Sequence, residues 1–313
     1  MRNKRIALFT LCTTICALPS CTGFGNSSSS SNSVNAYAPV FSTDGKTVKY
    51  GYYPQTHVND SLLIQELNEI ETPVFNGWYL YKGTYYTKKR VSFDGATFDD
   101  GTAIVSQMTY WFRCEPIKWN ILKTSKGTYN LVSSMLLDVH EYNNEYWEGT
   151  KAGKYATNYA DSEIRGWLND TFYDIAFGLD DSFIQTTRID NSASTTDSLS
   201  NKFICENTND KVYLLSYQDY LNADYGYSIS IDESETRTCQ TTEWARASNA
   251  HCYVGNKYNG SYWTRSPFSS REHRGFSYSY DLVSKIYTTG DIGVGYVCRE
   301  YECVRPAITI KIS

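Results

Sequence analysis

The sequence predicts an α+β fold of short antiparallel strands with a few helices and long irregular loops. Short runs rich in aromatic and β-branched residues recur between turn residues, a pattern typical of strands. Only a few segments place apolar residues at helical spacing, and long polar stretches separate them. Because the 313 residues contain no repeat and no internal linker, we expect one body with a substantial core.

Strands dominate the predicted N-terminal half. Its expected elements are a strand over 47–53, a short helix over 59–70, a hairpin over 77–88, and a hairpin joining 110–123 to 129–133. We expect Pro54 to end the first strand, and Lys82-Gly83 and Gly127 to form the two hairpin turns. The second hairpin is the more apolar, so it should be central.

The clearest helix of the chain should begin after Asp161 or Ser162, either of which can cap it. Its apolar face would contain Ile164, Trp167, Leu168, Phe172 and Ile175. The other expected elements are an extended piece over 183–187, a buried strand over 211–215, helices over 217–223 (capped by Ser216) and 242–249, and strands over 262–264, 276–280, 285–288 and 304–312. The polar residues of 190–202 predict a long mobile loop.

The N-terminus has the layout of a secretory signal peptide. Three basic residues precede the apolar stretch 6–18, which is too short to span a bilayer stably, and Ser20 then precedes Cys21. Cys21 resembles the lipid-modified cysteine of bacterial lipoproteins. We therefore expect the mature chain to begin at Cys21 with lipid on its sulfur, anchored on the extracytoplasmic face of the cell membrane.

A polar segment rich in Ser, Gly and Asn follows Cys21, and such a segment stays a flexible tether. The expected organisation is a signal peptide over 1–20, a lipidated Ser-rich tether over 21–42, a β-rich section over 43–109 and the remaining body over 110–313.

The charge of the chain excludes one class of partner. The formal net charge is −5, and the signal peptide contains three basic and no acidic residues, so the mature chain is near −8. An acidic chain offers no basic field for nucleic acid, and we expect none to bind. The 28 tyrosines favour half-buried sheets or an exposed recognition surface.

Several segments together resemble a known family. They are Glu115-Pro116-Ile117-Lys118-Trp119, Ser162-Glu163-Ile164-Arg165-Gly166-Trp167-Leu168-Asn169, Phe172-Tyr173, Val212-Tyr213-Leu214-Leu215-Ser216, Tyr262-Trp263-Thr264-Arg265-Ser266-Pro267 and Val304-Arg305-Pro306-Ala307. In this order they resemble the DUF6273 domain of bacterial lipoproteins and secreted proteins, a family of unknown function, over 110–312. That family is similar in turn to the C-type-lectin-like fold of formylglycine-generating enzymes and related binding proteins, so the resemblance implies a C-type-lectin-like fold.

The resemblance also marks residues with a structural or binding role. They are Glu115, Trp119, Arg165, Trp167, Trp263, Arg265 and Arg305. Of these, Trp263, Arg265 and Arg305 are expected near one another in the core. A buried arginine needs carboxylate or carbonyl partners, which Glu115 or Asp281 could supply. The polar loops 190–202 and 269–274 are the expected contact surface for a ligand.

Cys298 and Cys303 suggest an alternative chemical role, which is copper binding. Formylglycine-generating enzymes have two cysteines at similar spacing near the C-terminus that bind copper(I), and soft thiolates suit that ion. The same spacing permits a local disulfide or two idle thiols. Six cysteines remain after Cys21, and their pairing is not fixed by sequence. The four histidines form no zinc-type spacing, so we expect no metal site other than this alternative.

These observations favour a non-enzymatic, surface-anchored lipoprotein that binds a glycan or a protein, since no catalytic motif is present. An exported copper oxidase that uses Cys298 and Cys303 is one alternative. A structural or antigenic surface protein without a specific ligand is the other.

Overall fold

Strands make up most of the regular structure in the computed structural model, which describes residues 35–145, 149–197, 202–268 and 280–312. In chain order they are β1 (Val40–Phe41), β2 (Thr47–His57), β3 (Tyr79–Tyr81), β4 (Thr84–Arg90), β5 (Thr109–Ser125), β6 (Thr128–Ser133), β7 (Asp138–Val139), β8 (Thr187–Ile189), β9 (Thr208–Asp210), β10 (Val212–Tyr213), β11 (Cys252–Tyr253), β12 (Asn259–Gly260), β13 (Tyr262–Pro267), β14 (Leu282–Ile286), β15 (Ile292–Tyr296), β16 (Cys303–Val304) and β17 (Ala307–Lys311). The helices are α1 (Ser61–Asn68), α2 (Glu163–Trp167), α3 (Tyr173–Phe177) and α4 (Glu243–Ala247), and a π-helical turn, Leu168–Phe172, joins α2 to α3. The expected mixture of many strands and few helices is confirmed.

The larger sheet has the strand order β1-β2-β5-β6-β17-β10, with β4 also paired to β5 and β3 to β4. Its centre is the hairpin of β5 and β6, as the sequence predicts. The turn of this hairpin needs a left-handed backbone at Lys126 and Gly127, whose φ angles are 48° and 76°. A Cβ at Gly127 would lie 2.7 Å from the carbonyl oxygen of Ile312, so only glycine fits there.

The smaller sheet has the order β15-β14-β13-β16-β7. Its pairs are antiparallel except for β13 and β16, which run parallel at Tyr262 and Cys303. The sequence predicts one strand over 304–312, but the structure has two strands, β16 and β17, in different sheets. Proline lacks the amide donor, and around Pro306 the chain leaves the smaller sheet at β16 and enters the larger one at β17.

One apolar cluster connects the two sheets with the α2–α3 helix. Trp119 of β5, Leu168 of the π-helical turn, Trp263 of β13 and Ile308 of β17 all belong to it and are fully buried. Residues 37–313 accordingly form one compact unit. No helix in the described ranges is both long and apolar enough to cross a membrane.

Local signals place several elements where the sequence predicts them. Asp60 caps α1 by accepting hydrogen bonds from the amides of Leu62 and Leu63. Lys82 and Gly83 form the turn between β3 and β4, both with positive φ.

Pro54 does not end the first strand, contrary to the prediction. β2 continues to His57, and Pro54 is the register partner of Cys114 in β5. The register shifts between Pro54 and Thr56. Proline is tolerated at such an irregularity because the local ladder needs no amide donor there.

The predicted helix after Ser162 is present, and Ser162 accepts a hydrogen bond from the Arg165 amide. Its π-helical turn brings Asn169 beside β10. The Asn169 side chain accepts from the amides of Lys211 and Val212 and donates to the Val212 carbonyl, at 2.8, 3.2 and 2.8 Å. The side-chain amide therefore pairs with β10 as a neighbouring strand would.

The prediction for 217–223 is wrong, and the loop 190–202 is partly buried. The 217–223 segment forms short 3-10 turns at Asp219–Leu221 and Ala223–Tyr225 rather than a helix, because Asn222 caps a second turn. The loop 190–202 is not uniformly exposed, since Thr195 and Thr196 are buried and the Thr195 carbonyl accepts from Ser266. Residues 198–201 of this loop lie outside the described residues.

Other predicted features also lie outside the described residues. They are the signal peptide over 1–20, Cys21, the tether as far as residue 34, the loop 269–274 and the strand 276–280 except Tyr280.

Candidate functional site

A buried arginine organises the loop 228–238. Arg237 is fully buried, and its guanidinium donates to the carbonyl oxygens of Gly290, Ser228 and Asp232 at 2.6, 2.8 and 2.6 Å. Burial lowers the pKa of the Arg237 guanidinium, but arginine remains charged at neutral pH. The cation therefore holds the backbone of this loop in one conformation.

The same loop is attached to the turn between β14 and β15. The Ile292 amide donates to the Ile231 carbonyl at 2.8 Å, and the Ser234 amide donates to the Thr289 carbonyl at 3.2 Å. Gly290 has a φ of 81°, and a Cβ on it would lie 2.1 Å from the Ser234 carbonyl oxygen. The close approach of the two segments therefore requires glycine at this position.

The β11–β12 hairpin forms a second wall opposite the loop. Tyr253 pairs with Asn259, and the intervening turn has left-handed backbones at Lys257 and Tyr258. The Tyr253 ring lies over Gly255, where a Cβ would be 2.6 Å from it. Tyr253 is nevertheless 60% exposed, so one side of the ring faces solvent.

Between these two walls lies a cleft of about 920 Å³, here called the polar cleft. Its polar side chains are the carboxylates of Glu233 and Glu235, the amides of Gln240 and Asn259, and the ammonium of Lys257. Carboxylates and amides offer both acceptors and donors to a ligand rich in hydroxyl groups. An exposed aromatic ring beside them adds an apolar face.

The wall of the polar cleft also contains a thiol. Cys239 is buried, and its Sγ donates to the Ser134 carbonyl at 3.5 Å. Burial raises the pKa of the Cys239 thiol, and the charge of Arg305 opposes that rise. A thiol of raised pKa is a poor nucleophile at neutral pH.

The arginines from the family resemblance lie in the protein interior. Arg265 donates to Asp219 at 2.9 Å and to the Leu214 carbonyl at 2.8 Å. Arg305 donates to the Ser133 carbonyl at 3.1 Å and to the Tyr262 hydroxyl at 3.0 Å.

The expected carboxylate partners are not the ones found. Arg265 is paired with Asp219, whereas Glu115, on β5, accepts a hydrogen bond from Thr56 at 2.6 Å. Asp281 likewise forms no ion pair with Arg265 among the described contacts. Asp219 is 46 residues away from Arg265 in the chain, so local sequence could not identify it.

Arg165 is held by Asp210, whose carboxylate it contacts through Nε at 2.8 Å and Nη2 at 2.6 Å. It also donates to the Ala160 carbonyl at 2.7 Å. This contact of two guanidinium nitrogens with one carboxylate joins α2 to β9.

The tryptophans likewise have interior partners. Trp119 donates to the Tyr50 carbonyl at 2.8 Å, and Trp263 donates to the His140 carbonyl at 2.9 Å. The half-buried Trp167 packs against the His140 ring at 4.9 Å. These tryptophans, with Glu115, Arg165, Arg265 and Arg305, lie outside the lining of the polar cleft.

Cys298 and Cys303 have different surroundings. Cys298 is exposed and Cys303 is fully buried, and both are free thiols, as are the other cysteines of the described ranges. Burial strongly raises the pKa of Cys303, and the charges of Cys252, Glu302 and Cys239 add to that rise. Within the described residues, no group of three or more His, Cys, Asp or Glu side chains is placed to hold a metal ion.

Sequence analysis did not find the polar cleft. Its loop combines a dense polar run with two isoleucines, Ile229 and Ile231, that are 76% and 52% exposed. The only sequence signal was this acidic run ending in a lone Arg237, and nothing local indicates that the arginine is buried.

Comparison with known proteins identifies the family of the chain. No curated protein and no solved structure matches the chain. The family model DUF6273, a domain of unknown function, matches residues 127–312. This range includes both walls of the polar cleft, the α2–α3 helix and the smaller sheet. Because the match covers more than half of the sequence, the chain belongs to the DUF6273 family.

Proposed function

We propose that this chain is a lipid-anchored, extracytoplasmic protein that binds a glycan in the polar cleft without chemically changing it. The observation that carries the proposal is a cleft lined by carboxylate and amide side chains, with the exposed Tyr253 ring lying over Gly255 of the same lining. Both walls are fixed by backbone hydrogen bonds, so little ordering cost accompanies binding.

The charge of the polar cleft narrows the class of glycan. Glu233 and Glu235 outnumber Lys257, and the whole chain is acidic. Neutral or amino sugars therefore suit this cleft better than sulfated or sialylated ones. We also propose the C-type-lectin-like fold, supported by two sheets around one core and by a long loop that forms a ligand-sized cleft.

A protein ligand is the second candidate, and the exposed apolar side chains beside the cleft favour it. Ile229 and Val254, on opposite walls, are 76% and 62% exposed. Exposed apolar groups rimmed by polar ones are typical of protein contacts. A copper role for Cys298 and Cys303 stays a prediction.

Replacing Tyr253 with alanine should lower glycan affinity about tenfold, or ~1.4 kcal/mol, because the exposed ring face is lost. A glycan array would first identify the ligand for protein lacking residues 1–21, and calorimetric titration would then compare variants. Tyr296→Ala is the matched control, since Tyr296 is also exposed but lies on β15 of the smaller sheet, whereas the Tyr253 ring lies over Gly255 of the cleft lining. An equal loss in both variants, or an array without any ligand, would contradict the proposal.

The anchor is tested separately by the mass of the N-terminal peptide from membrane-extracted protein. We expect an acylated Cys21 with two or more acyl chains. Each methylene group buried in the bilayer contributes roughly 0.8 kcal/mol, and one chain alone does not attach a protein stably. Cys21→Ser should abolish the acyl mass, whereas Cys16→Ser, within the signal peptide, should not. An unmodified Cys21 in the wild type would overturn the anchoring.

A further inference from the structure

Three thiols surround Gly260. Cys252 is the β-ladder partner of Gly260 in the β11–β12 hairpin. On the other side, the Gly260 amide donates to the Cys239 carbonyl at 2.9 Å. A Cβ on Gly260 would lie 3.0 Å from the Sγ of Cys303. The Cys303 sulfur therefore borders the space above Gly260, together with the side chains of Leu136 and Thr241.

The geometry favours Cys252 as the partner of Cys303. Directly opposed residues of an antiparallel pair carry their side chains on the same face of the ladder, so the Cys252 side chain and the Cys303 sulfur lie beside the same glycine. Cys252 is also the thiol with the largest electrostatic effect on Cys303, exceeding that of Cys239.

Accessibility separates the flanking thiols further. Cys252 is partly exposed, whereas Cys239 and Cys303 are buried. The Cys239 thiol already donates to the Ser134 carbonyl. An external oxidant can therefore reach Cys252 first.

We propose that Cys252 and Cys303 form a disulfide that joins the β11–β12 wall of the polar cleft to β16 of the smaller sheet. The oxidant is an external disulfide, such as that of a thiol–disulfide oxidoreductase. The Cys252 thiol loses its proton to solvent, and its thiolate attacks one sulfur atom of the external disulfide and releases one thiolate. The Cys303 thiol likewise loses its proton, and its thiolate attacks the Cys252 sulfur of the mixed disulfide and releases the second thiolate. The two released thiolates take up the two protons, so two protein thiols lose two electrons and the external disulfide becomes two thiols. Burial raises the pKa of both protein thiols, so the exchange is slow at neutral pH. The inference uses the extracytoplasmic location proposed above, where disulfides persist, but it does not depend on a glycan.

The test is peptide mapping by mass spectrometry of the full chain, alkylated without reduction, before and after exposure to glutathione disulfide. We expect a linked pair of peptides that contain Cys252 and Cys303, with Cys239 and Cys298 alkylated. Thermal unfolding of the same wild-type sample should show a midpoint roughly 5–10 °C lower after reduction, since the bond closes a loop of about fifty residues.

Each other outcome overturns the pairing. A Cys298–Cys303 link, a Cys239–Cys303 link, or alkylation of both Cys252 and Cys303 after glutathione disulfide would do so. Cys252→Ser should remove the reduction-sensitive shift, and Cys298→Ser should keep it. If either variant fails to fold, the wild-type map still decides. The same map reports Cys21, so an unlipidated chain with the Cys252–Cys303 link would reject the location while keeping the pairing.

Discussion

Lys285→Met is expected to destabilise the protein by about 3–5 kcal/mol, because it leaves a buried carboxylate without its counterion. The Lys285 ammonium forms an ion pair with Glu302, and the two side chains are only 5% and 0% exposed. The Ser261 hydroxyl donates to the other oxygen of Glu302 and lies 2.9 Å from Nδ1 of His251. Burial lowers the pKa of Lys285, and the charge of Glu302 opposes that shift.

The double variant Lys285→Met/Glu302→Leu should recover much of that loss, because neither charge then remains buried alone. Urea unfolding of the wild type, both single variants and the double variant gives the coupling free energy. The matched control is the exposed pair of Lys82 and Glu66, whose side chains are 70% and 48% exposed. Lys82→Met should cost far less than Lys285→Met, because solvent screens the exposed pair. Equal losses for Lys285→Met and Lys82→Met would contradict the buried ion pair.

Gly290→Ala is expected to cost about 3 kcal/mol or more and to abolish ligand binding in the polar cleft. The left-handed backbone alone costs a non-glycine residue roughly 1–2 kcal/mol. The added Cβ would also lie 2.1 Å from the Ser234 carbonyl oxygen and 3.3 Å from the Thr238 amide nitrogen. Backbone atoms cannot rotate away as a side chain can, so the loop 228–238 must move.

Gly226→Ala separates the cost of the left-handed backbone from the cost of the steric clash. Gly226 has nearly the same φ, 82°, but nothing lies within 4 Å of an added Cβ. We therefore expect it to cost roughly 1–2 kcal/mol and to leave ligand affinity unchanged. Urea unfolding and ligand titration of the two variants make the comparison. Retained binding in Gly290→Ala would show that the cleft does not need the present loop position.

Local patterns in the sequence predicted elements whose causes are local. Asp60, Ser162 and Thr242 cap helices within three residues of themselves. The hairpin turns at Lys82 and Lys126 follow from the glycine after each. In these cases the residues that fix the backbone are neighbours in the chain, so the local sequence is enough to predict the cap or the turn.

The candidate site could not be predicted in the same way, because its causes are distant in sequence. Arg237 is held partly by Gly290, 53 residues away, and no periodicity marks that contact. At Pro54 the local sequence predicts the end of a strand, but pairing with β5 continues β2 beyond it. Arg265 and Arg305 were expected in the core from the family resemblance, and both are buried there, outside the lining of the cleft.

The side chain of Asn169 has a consequence for how copies of this protein behave when crowded together. β10 ends the strand order of the larger sheet, so its outer backbone groups would otherwise be open to a strand from another molecule. Asn169 already occupies the amide and the carbonyl of Val212 on that side. A neighbouring chain would have to displace an intramolecular amide before it could extend the sheet. Asn169 thus removes two backbone groups from edge-to-edge pairing on a strand whose residues Val212 and Tyr213 are themselves buried.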